Sequence, residues 1–268
     1  MISIVTVYNN RQYLEEILLK SLKKQTARFE LIMLDNTRGK FKSAAEALNY
    51  GGSKTNGKYI MFVHSDVDLI SNTWLEDVEK ILDSISNLGV AGVAGVAEKV
   101  GNYKTRGRNI IKHKDPPVIW DLGNPIQKPE LVQTLDGCLM IIPKSVFHIL
   151  RFDEEICDDW HLYDVDYCLS CKEIGLDVYA IPAFIYHKSV GLSKSLSSKN
   201  KMQIIKSLGP LPKPYYQTLK KVLNKHRIYF KRIYTTCGNW STSRPLILQR
   251  ISRLVKLEIK YTLKKLSK

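Results

Sequence analysis

From Ile2 to Ala97 the chain alternates short β-rich runs with helical patterns, and three of those runs end in polar residues. "ISIVTVY" is followed by "NNR", "FELIML" by Asp35-Asn36, and "GKYIMFV" by His64-Ser65-Asp66. Between the first two, Leu14, Ile17, Leu18, Ser21 and Leu22 recur at three- and four-residue spacing, which predicts a helix. "SAAEALNYGG" reads as a helix closed by glycine. Trp74, Leu75, Val78, Ile81, Leu82 and Ile85 mark one face of another helix, and "GVAGVAGVA" follows as a strand. Strand and helix in strict alternation predict an α/β fold with a doubly wound, mostly parallel sheet flanked by helices. Ligands of such sheets bind at the carboxyl ends of the strands, so Tyr8-Asn9, Asp35-Asn36 and His64-Ser65-Asp66 are expected to converge on one crevice.

The remainder divides by charge. Of 41 basic and 26 acidic residues, 20 Lys and Arg against the single acid Glu258 fall between Lys188 and Lys268, leaving residues 1–187 mildly acidic. Residues 1–190 therefore read as the body, and 191–268 as a basic linker and helical C-terminal extension. Within the body, residues 99–132 read as surface loop, and "TLDGCLMIIPKSVF" as a strand followed by a helix after Pro143. A helix is expected from Tyr163 to about Ile174, then strands "DVYAIP" and "FIYH". In the tail, Ile247, Ile251, Leu254, Val255, Ile259, Leu263 and Leu266 predict a helix beginning at Pro245.

Five cysteines, an odd number in a long chain, argue for reduced thiols and a cytoplasmic setting rather than a disulfide framework. Cys168 and Cys171 form one CxxC, half of what a structural zinc site needs, and read as core thiols. The start of the chain does not read as a secretory leader. The longest small-apolar run, "VAGVAGVA", falls far short of the roughly 20 residues that span a bilayer.

Neither G-x-G-x-x-G nor a P-loop follows the first strand. The chemistry-bearing residues are strand-end aspartates, an acid-rich helix start and a histidine closing a late strand, a set suited to a divalent cation and a phosphate-bearing substrate. In this set the chain resembles the inverting family-two glycosyltransferases of the GT-A fold. The resemblance covers about residues 2–190 and runs, in order, through "ISIVTVYNN", "LIMLDN", "ALNYGGSKTNGKYIMFVHSDVDL", "TLDGCLMIIPKSVF", "FDEEI", "WHLYDVDYCLSCKEIG" and "AIPAFIYHKSVG".

The resemblance implies metal-assisted transfer of a sugar, with inversion, from a nucleotide-diphosphate donor to a glycan or lipid-linked acceptor hydroxyl. It assigns Tyr8, Asn9, Asp35, Asn49 and His64 to the donor nucleotide. It assigns Asp66 and His187 to Mn²⁺ or Mg²⁺, with Asp68 added in the alternative frame Asp66-Val67-Asp68. Asp164 of "YDVD" becomes the general base, and Asp136, Gly137 and Trp160 fall on the acceptor side. Two positions depart from the family pattern: His64 replaces the first aspartate of D-x-D, and Tyr163 replaces the first acid of E-D-x-D. Asp166 is expected to support the helix start or orient a neighbour rather than act as the base.

Three readings of the basic tail stay open: an anionic membrane surface, a helix packed on the body with its cations solvated, and, least favoured, nucleic acid. Two competing functions are a sugar nucleotidyltransferase, which would want a glycine-rich basic loop where "VYNNRQYLEE" stands, and a non-catalytic GT-A-like protein that binds through its tail.

Overall fold

The computed structural model of the protein describes residues 1–98, 107–108, 111–112, 119–120, 125–188 and 211–266. The 189–210 linker and most of the loop expected over 99–132 lie outside the described residues.

The core is a seven-stranded sheet in the spatial order Glu130–Leu131, Asp177–Ala180, Leu88–Gly92, Leu139–Pro143, Tyr59–Val63, Ile2–Tyr8, Phe29–Asp35. The first strand pairs in parallel with the second and third, and Asp177–Ala180 pairs in parallel with Leu88–Gly92. Leu139–Pro143 and the edge strand Glu130–Leu131 run against the rest. The sheet is thus mostly parallel, as the alternation predicts.

Both faces of the sheet are buried, and its central strands divide their side chains between them. Ile2, Ile4, Met61, Val63, Leu139 and Ile141 pack on one side with Leu18, Leu75 and Leu82 of helical segments. Val5, Ile60, Phe62, Met140 and Ile142 pack on the other with Phe147, Tyr167 and Cys168. The helix expected after the first strand forms over residues 11–22, started by the Asn10 side chain accepting from Tyr13 N, with a π-helical middle, Leu14–Leu19.

Two expected strands are each split. "GVAGVAGVA" becomes Leu88–Gly92 and Gly95–Val96, because the chain bends to pair with Thr134–Leu135; a Cβ on Gly95 would stand 2.6 Å from Thr134 O. "TLDGCLMIIP" becomes Thr134–Leu135 and Leu139–Pro143, separated by a turn in which Asp136 Oδ1 accepts from Cys138 N. That turn carries Asp136 and Gly137 out of the ladder and toward the strand ends.

Part of the stretch read as linker is built structure. The helix Lys213–His226 and the hairpin Arg232–Thr235/Gly238–Ser241 enclose a third apolar cluster with Leu162, Val165 and Leu169, centred on Leu219, Val222, Ile233 and Trp240. The Tyr163–Glu173 helix is therefore covered on both sides, and eight of its residues are buried. The two bodies are locked by a buried polar cluster. His226, fully buried, faces Glu173 Oε1 through Nδ1 at 2.6 Å and Asp166 Oδ1 through Nε2 at 2.9 Å. Lys225 bridges Asp166 and Asp153 at 2.8 and 3.0 Å. Asp166 thus supports its helix by anchoring the C-terminal module to it.

Candidate active site

At the carboxyl end of the sheet lies a crevice of about 810 Å³. That volume suits a substrate of nucleotide-sugar size. Tyr8, Asn9, Asn36, His64, Asp66, Asp136, Gly137, Trp160 and Asp164 line it, so the convergence expected of the strand ends is realised. Asp35 stands at the rim beside Tyr8, its ladder partner, and the Thr37 hydroxyl and amide hold its carboxyl below the usual range.

Three expected site residues point elsewhere or reach the crevice indirectly. Asn49 does not line it: its amide donates to Phe152 O and Glu154 Oε1, each at 2.8 Å, and its carbonyl accepts from Phe152 N. Asp68 faces a smaller pocket on the far side of Asp66, beside Lys20, Lys24 and Lys188. His187 meets the site through Asp66, with Nε2 3.2 Å from Oδ1.

The His187–Asp66 contact follows from strand pairing. Val67–Leu69 pairs antiparallel with Ile185–His187, which sets His187 opposite Val67, and Lys188 N donates to Asp66 O. His64, where the third strand ends, completes a cluster: one ligand-capable atom from each of His64, Asp66 and His187 lies within 4.8 Å of the others. Two imidazoles and a carboxylate fit Mn²⁺, a hard ion that still accepts imidazole, better than Mg²⁺, which keeps to oxygen ligands and water. Burial alone would push the Asp66 carboxyl up, but the hydrogen bond and charge of His187 outweigh it and hold Asp66 low. Burial would likewise lower His187, and Asp66 reverses that shift. His64 opens onto the crevice but is packed around its ring; burial and the neighbouring His187 push it below the usual imidazole range.

The two departures from the family pattern touch each other. Tyr163 Oη donates to Gly137 O at 3.0 Å and lies 3.0 Å from His64 Nε2. A hydroxyl has one proton, so Tyr163 accepts from His64, which puts the imidazole proton on Nε2 and leaves the Nδ1 lone pair for a cation. Gly137 must be glycine here, since a Cβ would stand 2.7 Å from Tyr163 Oη and 3.1 Å from Asp164 Cβ.

Asp164 lies in the first turn of the Tyr163–Glu173 helix rather than at its N-cap. The cap is Leu162, a non-glycine residue in the left-handed region at φ 62°. Burial, reinforced by the charge of Asp136, pushes the Asp164 carboxyl up to about 7 against hydrogen bonds from the Val165, Asp164 and Gly137 amides. The helix terminus therefore does not keep Asp164 fully ionised near neutral pH. Its carboxylate is poised to take a proton near neutral pH.

The outer wall escapes the sequence reading. His161, Leu211, Pro212, Tyr215, Thr235, Thr236 and Cys237 also line the crevice, most of them from the C-terminal module. Trp160, 41% exposed, presents its ring to the same space. One signal for the wall is present in the sequence: the apolar residues of "LYDVDYCLSC" are spread around the whole helix rather than gathered in one stripe, which asks for cover on both sides.

Comparison with known proteins agrees with this architecture. A model described as a glycosyltransferase-like family matches residues 3–203. A curated protein of Fuscovulum blasticum, "ATP synthase subunits region ORF 6", is 25% identical over 142 residues, covering 50% of this chain and 53% of its own length; the chain thus spans about half of that relative. Among solved structures, GalNAc-T7 with UDP, GalNAc and Mn²⁺ aligns with a TM-score of 0.57 at 11% identity, over 86% of this chain and 50% of that one. S. aureus TarS (residues 1–349) gives a TM-score of 0.47 at 16% identity, over 86% and 72% of the two chains. The likeness to GalNAc-T7 is one of fold, and that fold is GT-A.

Proposed function

This chain belongs to the glycosyltransferase-like family, and from that premise we propose that it transfers a sugar from a nucleotide-diphosphate donor to an acceptor hydroxyl, with inversion and with a bound Mn²⁺. The observation that carries the reading is the crevice lined by His64, Asp66 and a poised Asp164, with His187 completing the cation cluster behind Asp66.

Tyr8 and Asn9, with Asp35 at the rim, receive the nucleoside, and His64, Asp66 and His187 hold the cation. When bound, the cation offsets the charge that grows on the departing diphosphate. The His64–Tyr163–Gly137 chain fixes the ligand imidazole before substrate arrives. Asp164 takes the proton of the acceptor hydroxyl as its oxygen bonds to the anomeric carbon and the bond to the diphosphate oxygen breaks. Attack from the face opposite the leaving group inverts the anomeric centre and needs no sugar–enzyme intermediate. Trp160, Tyr215, Thr235 and Thr236 supply a ring face and hydroxyls on the outer side, the equipment for a sugar acceptor.

The test is calorimetric titration with UDP, GDP and dTDP, each with and without Mn²⁺. The reading expects Mn²⁺-dependent binding of one of them. Binding of none would favour the non-catalytic alternative.

A further inference from the structure

The Leu246–Leu266 helix is mounted in reverse. A surface helix ordinarily turns its apolar stripe to the body and its charges to water. Here Gln249, Arg250 and Arg253 face inward. Gln249 accepts from Ser241 N at 2.7 Å and donates to Ser241 O at 2.9 Å. The Arg250 guanidinium lies 4.0 Å over the Tyr216 ring, and Arg253 lies over Trp240 while donating to Cys237 O. Ile247, Leu248, Ile251, Leu254, Val255 and Ile259 are each 43–58% exposed. At about 100° per residue these six span an arc of about 140°, centred opposite Gln249, Arg250 and Arg253.

A second apolar feature adjoins the first. Ile228 and Tyr229, 83% and 63% exposed, form the turn after the Lys213–His226 helix. Thr242, just before the last helix, bonds that segment through Lys231 O and Phe230 O. Arg227, Lys231, Arg232 and Arg244 around it are exposed.

The geometry points to a docking surface for an anionic lipid bilayer, on which the stripe and the Ile228-Tyr229 turn enter the headgroup region and the surrounding cations meet lipid phosphates. Charge decides the occupant. A second copy would bring together two surfaces drawn from a segment with 20 bases and one acid, whereas anionic lipid complements that excess. Among the described residues no helix is long and apolar enough to cross a membrane, so the contact is interfacial. The hairpin that carries the helix also lines the crevice with Thr235, Thr236 and Cys237, so docking would bring the outer wall close to the lipid surface.

Flotation of the whole chain with phosphatidylcholine vesicles, and with vesicles containing phosphatidylglycerol, tests this without any sugar chemistry. At low salt the protein should float with the anionic vesicles at least about tenfold more than with neutral ones, and less at about 1 M salt. The double variant Ile251→Glu, Leu254→Glu should lose the binding while its thermal melt matches wild type, because both positions are half-exposed. Lys231→Glu with Arg244→Glu should lose only the preference for anionic lipid. Failure to float with either vesicle would overturn the proposal. So would a dimer by light scattering that Ile251→Glu dissolves, or binding to random-sequence DNA that the double variant leaves unchanged.

Discussion

The two sides of the crevice are built by different means. The side that carries His64, Asp66 and His187 is fixed by backbone ladders, with Tyr8 opposite Asp35 and Val67 opposite His187. The outer wall, from Leu211 to Cys237, is attached by side chains: an apolar cluster and the ion pairs of Lys225 and His226. Ladders set position to within a fraction of a residue and change only with the register. A side-chain interface can be redrawn without disturbing the sheet. On the proposed function, the ladder-built side would hold the donor and the side-chain-attached wall the acceptor.

Substitutions should keep the two sides apart. Asp164→Asn has the largest expected effect, a loss of roughly 10³-fold in kcat with nucleotide binding retained, read by transfer assay and calorimetry side by side. The same carboxyl gives a pH signature. Held at about 7 in the free protein, it must be ionised to act, so kcat/KM should rise as pH increases through about 7 and lose that limb in the variant. Next, His226→Ala should cost about 3 kcal/mol of stability in chemical denaturation by leaving Glu173 and Asp166 short of a buried partner, loosening the wall without touching the cation. Tyr163→Phe frees the His64 ring and should weaken Mn²⁺ binding roughly 10- to 100-fold, with the fold intact. The smallest effect belongs to Trp160→Ala, which should raise the acceptor KM about tenfold or less and leave the donor KM unchanged.

The same division explains what could be read from the sequence. Strand ends are visible because apolar runs stop at polar residues, so Tyr8, Asn9, His64 and Asp66 could be assigned to one crevice before their contacts were known. Asp68 was harder: Asp66 lies in the turn that closes the third strand, whereas Asp68 lies beyond it inside the separate strand Val67–Leu69 and lines the neighbouring pocket. Asn49 matched a motif position, but its amide ties the segment around Phe152. The wall was least legible. Its helix and hairpin lie in a lysine-rich stretch whose charge suggests solvent, and their apolar residues fit the outer face of a distant helix. That complement, Leu162, Val165 and Leu169, is apparent only when the Tyr163–Glu173 helix is seen to be apolar on both sides.

The cation cluster bears the central claim most directly, and paramagnetic resonance of Mn²⁺ measures it without knowledge of sugar or acceptor. Titrating Mn²⁺ into the protein with UDP or GDP should remove the free-ion signal up to one equivalent in the wild type. Asp66→Ala should leave that signal in solution. If no nucleotide lets the wild type bind Mn²⁺, or if Asp66→Ala binds it equally well, the account of this crevice as a metal-assisted transferase site is wrong.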